Sequence, residues 1–269
     1  MSRTIVYSAL VLRNRPSGES NSEVSLLTAE EGIIKATVFG GPKSKLRSHS
    51  ASYNSGKVWI YHEPVKDYNK LSDFDVHSWR PGLRELYDRT MAAAGAAETI
   101  LSTHGGGGDW GKALQLAEAA LDALENANEE LCPRILVHFL WLWAEFLGIR
   151  PEIEYCSSCG DEAANNPLWF SGRENTLLCG NCVPHESSVP KNELCPQNRA
   201  LSPKSSSVPV GGLLQLNPGC RRWLTTVNSV DPSLLYRFSM DNKSLNEVKA
   251  FTTAVIAAAL GKRLASWDW

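Results

Sequence analysis

The chain has 269 residues, 43% hydrophobic and 21% charged, which is enough apolar material for a packed core and excludes global disorder. With 27 Lys+Arg against 29 Asp+Glu the formal net charge is −2, so the protein cannot coat a polyanion by bulk positive charge, and any such site must be regional. The longest strongly apolar stretch, residues 135–146, contains His138 and Glu145 and falls short of the roughly 20 residues that a membrane span needs. The N-terminal apolar run is broken by Tyr7 and Ser8 and lacks a small-residue cleavage site, so a cytoplasmic location is expected.

Residues 5–12, 24–27, 33–39 and 58–61 are short, strand-like runs, separated by Arg15-Pro16-Ser17-Gly18, Glu31-Gly32 and Gly40-Gly41-Pro42; a weaker fifth run covers 74–79. Five strands in so short a stretch predict a small closed barrel, because closure removes exposed edges. An OB-type barrel is the leading shape and an SH3-like barrel its rival. Past Pro81-Gly82 the apolar period lengthens toward that of a helix. One helix starts near Leu83 and ends at the glycine run 105–108, a second covers 111–126, and a third, apolar around most of its surface, covers 133–147 and is expected at the centre of a bundle. Residues 183–212, rich in Pro, Ser, Asn and Lys, read as a polar excursion; helices return at 218–227 and 245–267.

Two CxxC knuckles, Cys156-Ser157-Ser158-Cys159 and Cys179-Gly180-Asn181-Cys182, have the spacing of a ribbon-type Zn2+ site in which each turn directs two thiolates at one tetrahedral ion. A thioredoxin-like redox role is the alternative, but two matched pairs outside a strand–helix pattern argue against it. Four thiolates leave no open position for water, so the ion would be structural. Cys132, Cys195 and Cys220 lack a partner at knuckle spacing and are not expected to be ligands, although His185 lies near Cys195.

Between Lys35 and Lys57 stand Lys35, Lys43, Lys45, Arg47 and Lys57 with no Asp or Glu, an asymmetry in a net-acidic chain. The segment 40–48 reads as a loop from its Gly-Gly-Pro start, with cations able to reach successive phosphates. Phe39, Tyr53, Trp59 and Tyr61 are aromatics able to stack on unpaired bases, although the alternation of Trp59 and Tyr61 on one strand favours the barrel core for these two. The GxxxxGK[ST] spacing of a phosphate-cradling loop is missing. The six histidines are scattered, there is no HExxH, GxSxG or dinucleotide fingerprint, and His138 inside an apolar helix is expected to be a hydrogen-bonded core residue, so no enzymatic activity is expected.

The order of these parts resembles the bacterial RecO family of recombination mediator and DNA repair proteins. The resemblance is carried by Arg15-Pro16-Ser17-Gly18-Glu19, by Leu26-Leu27-Thr28-Ala29-Glu30-Glu31-Gly32-Ile33-Ile34-Lys35, and by Gly40 and Lys43-Ser44-Lys45-Leu46-Arg47. It continues in Phe146-Leu147-Gly148-Ile149-Arg150-Pro151 leading to Cys156-Ser157-Ser158-Cys159-Gly160, and in Leu260-Gly261-Lys262-Arg263-Leu264-Ala265-Ser266. It implies an α+β multi-domain chain: an OB-fold DNA-binding domain at residues 1–80, a helical domain at 81–155 and 213–269, a zinc-binding unit at 156–182 with ligands Cys156, Cys159, Cys179 and Cys182, and a flexible excursion at 183–212. It further implies binding of single- and double-stranded DNA through Lys35, Lys43, Lys45 and Arg47, strand annealing, and work with RecR and single-strand binding protein to load RecA at the bacterial nucleoid. The glycine run 105–108 and the excursion depart from the family pattern and look like insertions. A protein–protein adaptor without DNA binding is the competing expectation.

Overall fold

The computed structural model describes residues 4–40, 44–63, 68–183 and 213–267. Five strands close into a barrel in the order β1-β2-β3-β5-β4: β1 Thr4–Ser17, β2 Asn21–Thr28, β3 Gly32–Val38, β4 Ser55–Glu63 and β5 Tyr68–Ser78. All neighbours are antiparallel except β3 and β5, which close the barrel through the single parallel pair Thr37 and Lys70. This is the OB-type barrel that the strand runs predict.

Alternation sorts side chains between two cores. Tyr7, Ala9 and Val11 of β1, Val24 and Leu26 of β2, Val58 and Ile60 of β4, and Leu71 and Phe74 of β5 fill the barrel. Leu10, Leu12 and Leu27 point outward from β1 and β2 and join the core of the helical part, which explains why residues 9–12 are buried without a break. Trp59 and Tyr61 are therefore not core residues, contrary to expectation. Val58 and Ile60 take the interior of this narrow barrel, and the larger rings lie half-exposed on its outer wall.

The segment expected to be a loop is partly helical. Lys45–His49 forms a short helix, α1, with Leu46 packed against the barrel core. After β5, a tight 3-10 turn at Pro81–Arg84 precedes α2, Tyr87–Ser102, so the first long helix begins later than predicted because Pro81 starts a separate turn. Next come α3, Trp110–Glu125, and α4, Cys132–Phe146. After the second part of the cysteine unit follow α5, Pro218–Val227, and α6, Asn242–Leu260. Asp241 caps α6 by accepting from the Ser244 N–H at 2.8 Å, and Gly261, at φ 65°, ends it short of the predicted residue 267. The expectation for α4 holds: it packs against α2, α3 and α6 and buries Trp141 and Trp143.

The glycine run has a packing role. Gly105 donates back to the Ile100 carbonyl at 2.9 Å, closing α2. A Cβ at Gly105 would touch Ile33 of the barrel at 3.2 Å, and one at Gly106 would lie 2.0 Å from the Phe146 ring. The run is thus a close-approach joint between barrel, α2 and α4. A second joint lies at Gly32, where a Cβ would meet the Trp110 indole at 2.7 Å.

Three short strands were not anticipated. β6, Leu168–Ser171, pairs with β7, Thr176–Cys179, and on its other side with β8, Leu214–Leu216. Leu168, Phe170, Leu177 and Leu216 from this sheet enter the same core as α4 and α6. Residues 184–212, most of the expected polar excursion, lie outside the described residues.

Candidate metal centre and nucleic-acid interface

The hairpin of β6 and β7 places the second knuckle at the end of β7, and the first knuckle lies in the loop closed by the isolated bridge between Tyr155 and Glu162. The four sulfurs of Cys156, Cys159, Cys179 and Cys182 all lie within 4.8 Å of one another. The Sγ atoms of Cys159 and Cys179 are 3.7 Å apart. Tetrahedral bonds of about 2.3 Å from one zinc ion to four thiolates imply S···S edges of about 3.8 Å, so the donor set fits that geometry.

The thiols of the cluster are shifted in both directions: hydrogen bonds to neighbouring cysteine sulfurs raise Cys159 and Cys182, and Cys156 is lowered. Burial raises the Cys156 thiol, but backbone N–H groups of Cys159, Cys179 and Ser158 outweigh it and bring the pKa down to about 6. The Cys179 N–H donates to the Cys156 sulfur at 3.2 Å. Cys132 and Cys220 sit buried on α4 and α5, where desolvation pushes their thiols up to about 11 and about 12, and both are outside the cluster. Cys195 and His185 lie outside the described residues.

Sequence reasoning missed the residue that seats this unit. Arg221 of α5, 6% exposed, donates from Nη1 to the Ile153 carbonyl at 2.9 Å and from Nη2 to the carbonyls of Ala164 and Asn166, each at 2.8 Å. Those carbonyls belong to chain on both sides of the first knuckle, so one buried guanidinium staples the unit to the helical core. The adjacent Arg222, which is exposed, gave no local signal to distinguish the two.

The cations expected to meet phosphates occupy different elements. Lys35 is exposed on β3 and lies 3.8 Å from Glu23 of β2. Lys45 and Arg47 are exposed on α1, which has no acidic residue in its first turn. Lys43 lies outside the described residues. Lys35 also lines a groove of about 570 Å³ along the β3–β5 seam, together with Glu23, Glu31, His62, Tyr68 and Asn69.

The aromatics divide similarly. Tyr53, at φ 75°, is partly buried and packs against the helical core. Phe39, 40% exposed, has the Lys70 ammonium 5.5 Å from its ring centroid and Tyr68 edge-on at 6.3 Å. His138 is a core residue as expected: its Nε2–H donates to the Val227 carbonyl at 2.9 Å.

An OB-type barrel fused to a helical body that carries a four-cysteine cluster defines a barrel-and-helix protein with a pair of cysteine knuckles that could hold a metal ion. The model for the N-terminal part of recombination protein O matches residues 1–78, and the model for its C-terminal part matches residues 84–268. The chain therefore belongs to the RecO family.

It is similar to the DNA repair protein RecO of Acaryochloris marina, with 26% identity over 177 residues, 64% of this chain and 60% of that protein. The DNA repair protein RecO of Alkaliphilus metalliredigens is 29% identical over 178 residues, 64% of this chain and 69% of that protein. That of Bacillus subtilis is 27% identical over 176 residues, 64% of this chain and 66% of that protein. The chain spans 60% and 65% of the length of the relatives from Acaryochloris marina and Desulfitobacterium hafniense DCB-2. Among the described residues no helix is long and apolar enough to cross a membrane.

Proposed function

We propose that the protein is a non-enzymatic recombination mediator. It binds single- and double-stranded DNA, anneals strands, and with RecR helps to load RecA onto DNA coated by single-strand binding protein, acting in the cytoplasm at the nucleoid. Membership of the RecO family across both the barrel and the helical part carries this reading. Lys35, Lys43, Lys45 and Arg47 are its phosphate contacts. The exposure of Lys45 and Arg47 on α1 supports their part, whereas Lys35 must exchange Glu23 for phosphate.

Cys156, Cys159, Cys179 and Cys182 hold a structural Zn2+. When bound, the ion supplies folding free energy to a sheet of short strands and leaves no coordination position for substrate. Cobalt substitution checks this: an absorption spectrum of a four-thiolate tetrahedral site is expected, and a spectrum with fewer sulfur ligands would refute the assignment.

DNA binding is tested by fluorescence anisotropy of a labelled single-stranded oligonucleotide at several salt concentrations. The expected result is an affinity whose logarithm falls linearly with the logarithm of salt, and a shallower slope for Lys45→Glu with Arg47→Glu. No binding at low salt, with or without RecR, would instead leave a zinc-stabilised adaptor that contacts only proteins.

A further inference from the structure

The end of β5 carries an aromatic that the DNA-binding reading has not used. Trp79 is 46% exposed. Its ring meets His49 of α1 at 5.2 Å between centroids and 90° between planes. A perpendicular contact covers at most one face of the indole and leaves the other uncovered by His49. Both partners are held. His49 is anchored through Nδ1 to the Phe74 carbonyl at 2.7 Å. The residue after Trp79 is Arg80, 4% exposed, whose guanidinium donates to the Tyr53 carbonyl at 2.7 Å, the Ser55 hydroxyl at 3.1 Å and Asp122 at 2.6 Å. The indole is therefore an exposed ring on a fixed backbone. Lys45 lies one helical turn before His49, and residues four apart share a helix face, so an exposed cation stands on the helix face that carries His49. On the same strand face, two residues apart from each other, Asp75 lies 3.4 Å from the His77 imidazole.

We infer that Trp79, backed by His49 and flanked by Lys45, is a stacking platform for an unpaired nucleobase, with Lys45 taking the adjoining phosphate. This rests on the proposed DNA binding and gives it a preference for single strands, because a base buried in a duplex stack presents no face to an indole. Alanine replacement of a stacking aromatic weakens single-strand binding by about 1–3 kcal/mol, or about 5- to 150-fold.

The test is anisotropy with a labelled oligothymidine and the full-length chain, comparing wild type, Trp79→Ala, Trp79→Phe and Lys45→Ala over a salt series. Trp79→Ala is expected to lose affinity within that range with an unchanged salt slope. Trp79→Phe should retain most of the affinity, and Lys45→Ala should flatten the slope by about 0.7. Photocrosslinking of the wild-type protein to a 5-iodouracil oligonucleotide should mark the peptide containing Trp79, a readout independent of whether the variants fold. Unchanged affinity in Trp79→Ala while Lys45→Ala is weakened, or crosslinks that avoid Trp79, would overturn the platform and leave DNA binding intact. Absence of wild-type binding at low salt would overturn both.

Discussion

Two buried ionisable side chains show how single residues set the behaviour of the chain. Arg221 satisfies three backbone carbonyls around the first knuckle while itself desolvated, and burial pulls its pKa below the usual guanidinium value. Arg221→Met would leave those carbonyls unpaired, so a loss of roughly 1–3 kcal/mol is expected in urea unfolding, with faster release of zinc to a chromogenic chelator. Lysine cannot restore the fork geometry, so Arg221→Lys should recover only part. His138 gives a pH signature. Burial lowers its pKa below the ordinary 6.5, against opposing contributions from the Val227 carbonyl and Asp231. The unfolded chain then binds a proton that the native state refuses, so stability is fully present above pH 6.5 and falls as the pH drops through and below that value. Urea midpoints measured at about pH 8 and about pH 5 should fall further in wild type than in His138→Gln, which keeps a donor for Val227 but has no imidazole to titrate.

Among the elements, the glycine run makes a sharp contrast between neighbours. Gly106, at φ 85°, has the Phe146 ring where a Cβ would go, whereas Gly107 has nothing within 4 Å and no positive φ. Gly106→Ala is expected to cost about 1–3 kcal/mol and lower the thermal midpoint by several degrees. Gly107→Ala should be neutral or stabilise by up to about 1 kcal/mol through the unfolded chain. The run reads from sequence only as a helix terminator, since nothing local reveals that Ile33 and Phe146 will come against it. The same limit explains the rest of the reading. The long helices were legible because each carries its own period over many residues, and the five barrel strands because runs of four to eight residues recur between turn signals, although β5 shows only over 74–79 and in fact begins at Tyr68. β6, β7 and β8 are four, four and three residues long and acquire their identity by pairing with chain distant in sequence. The two knuckles were fully legible, since metal-ligand spacing is itself local. Trp59 was misassigned because alternation fixes which residues share a face but not which face turns inward.

For the molecule as a whole, the decisive feature is that Leu10, Leu12 and Leu27 of the barrel wall belong to the helical core. Arg80, Arg84 and Glu125 reinforce the seam: Arg84 donates to the Ser52 carbonyl at 2.7 Å, and Glu125 accepts the Gly82 N–H at 2.9 Å. Barrel and helices should therefore unfold together. Native-state hydrogen exchange is expected to give amides in the middle of β1 and of α4 the same opening free energy, and a separate, lower value for β1 would contradict a shared core. The sheet of β6, β7 and β8 adds a condition of timing. On a ribosome, β7 is complete at Cys179 while β8 begins only at Leu214. At roughly 5–20 residues per second the emerging hairpin waits about 2–7 s with one edge of β6 unpaired. Thiolate capture of an ion by the two knuckles requires none of the later chain, so metallation during synthesis would fix the hairpin before its third strand exists. Starving growing cells of zinc would then be felt by the nascent chain before the finished protein.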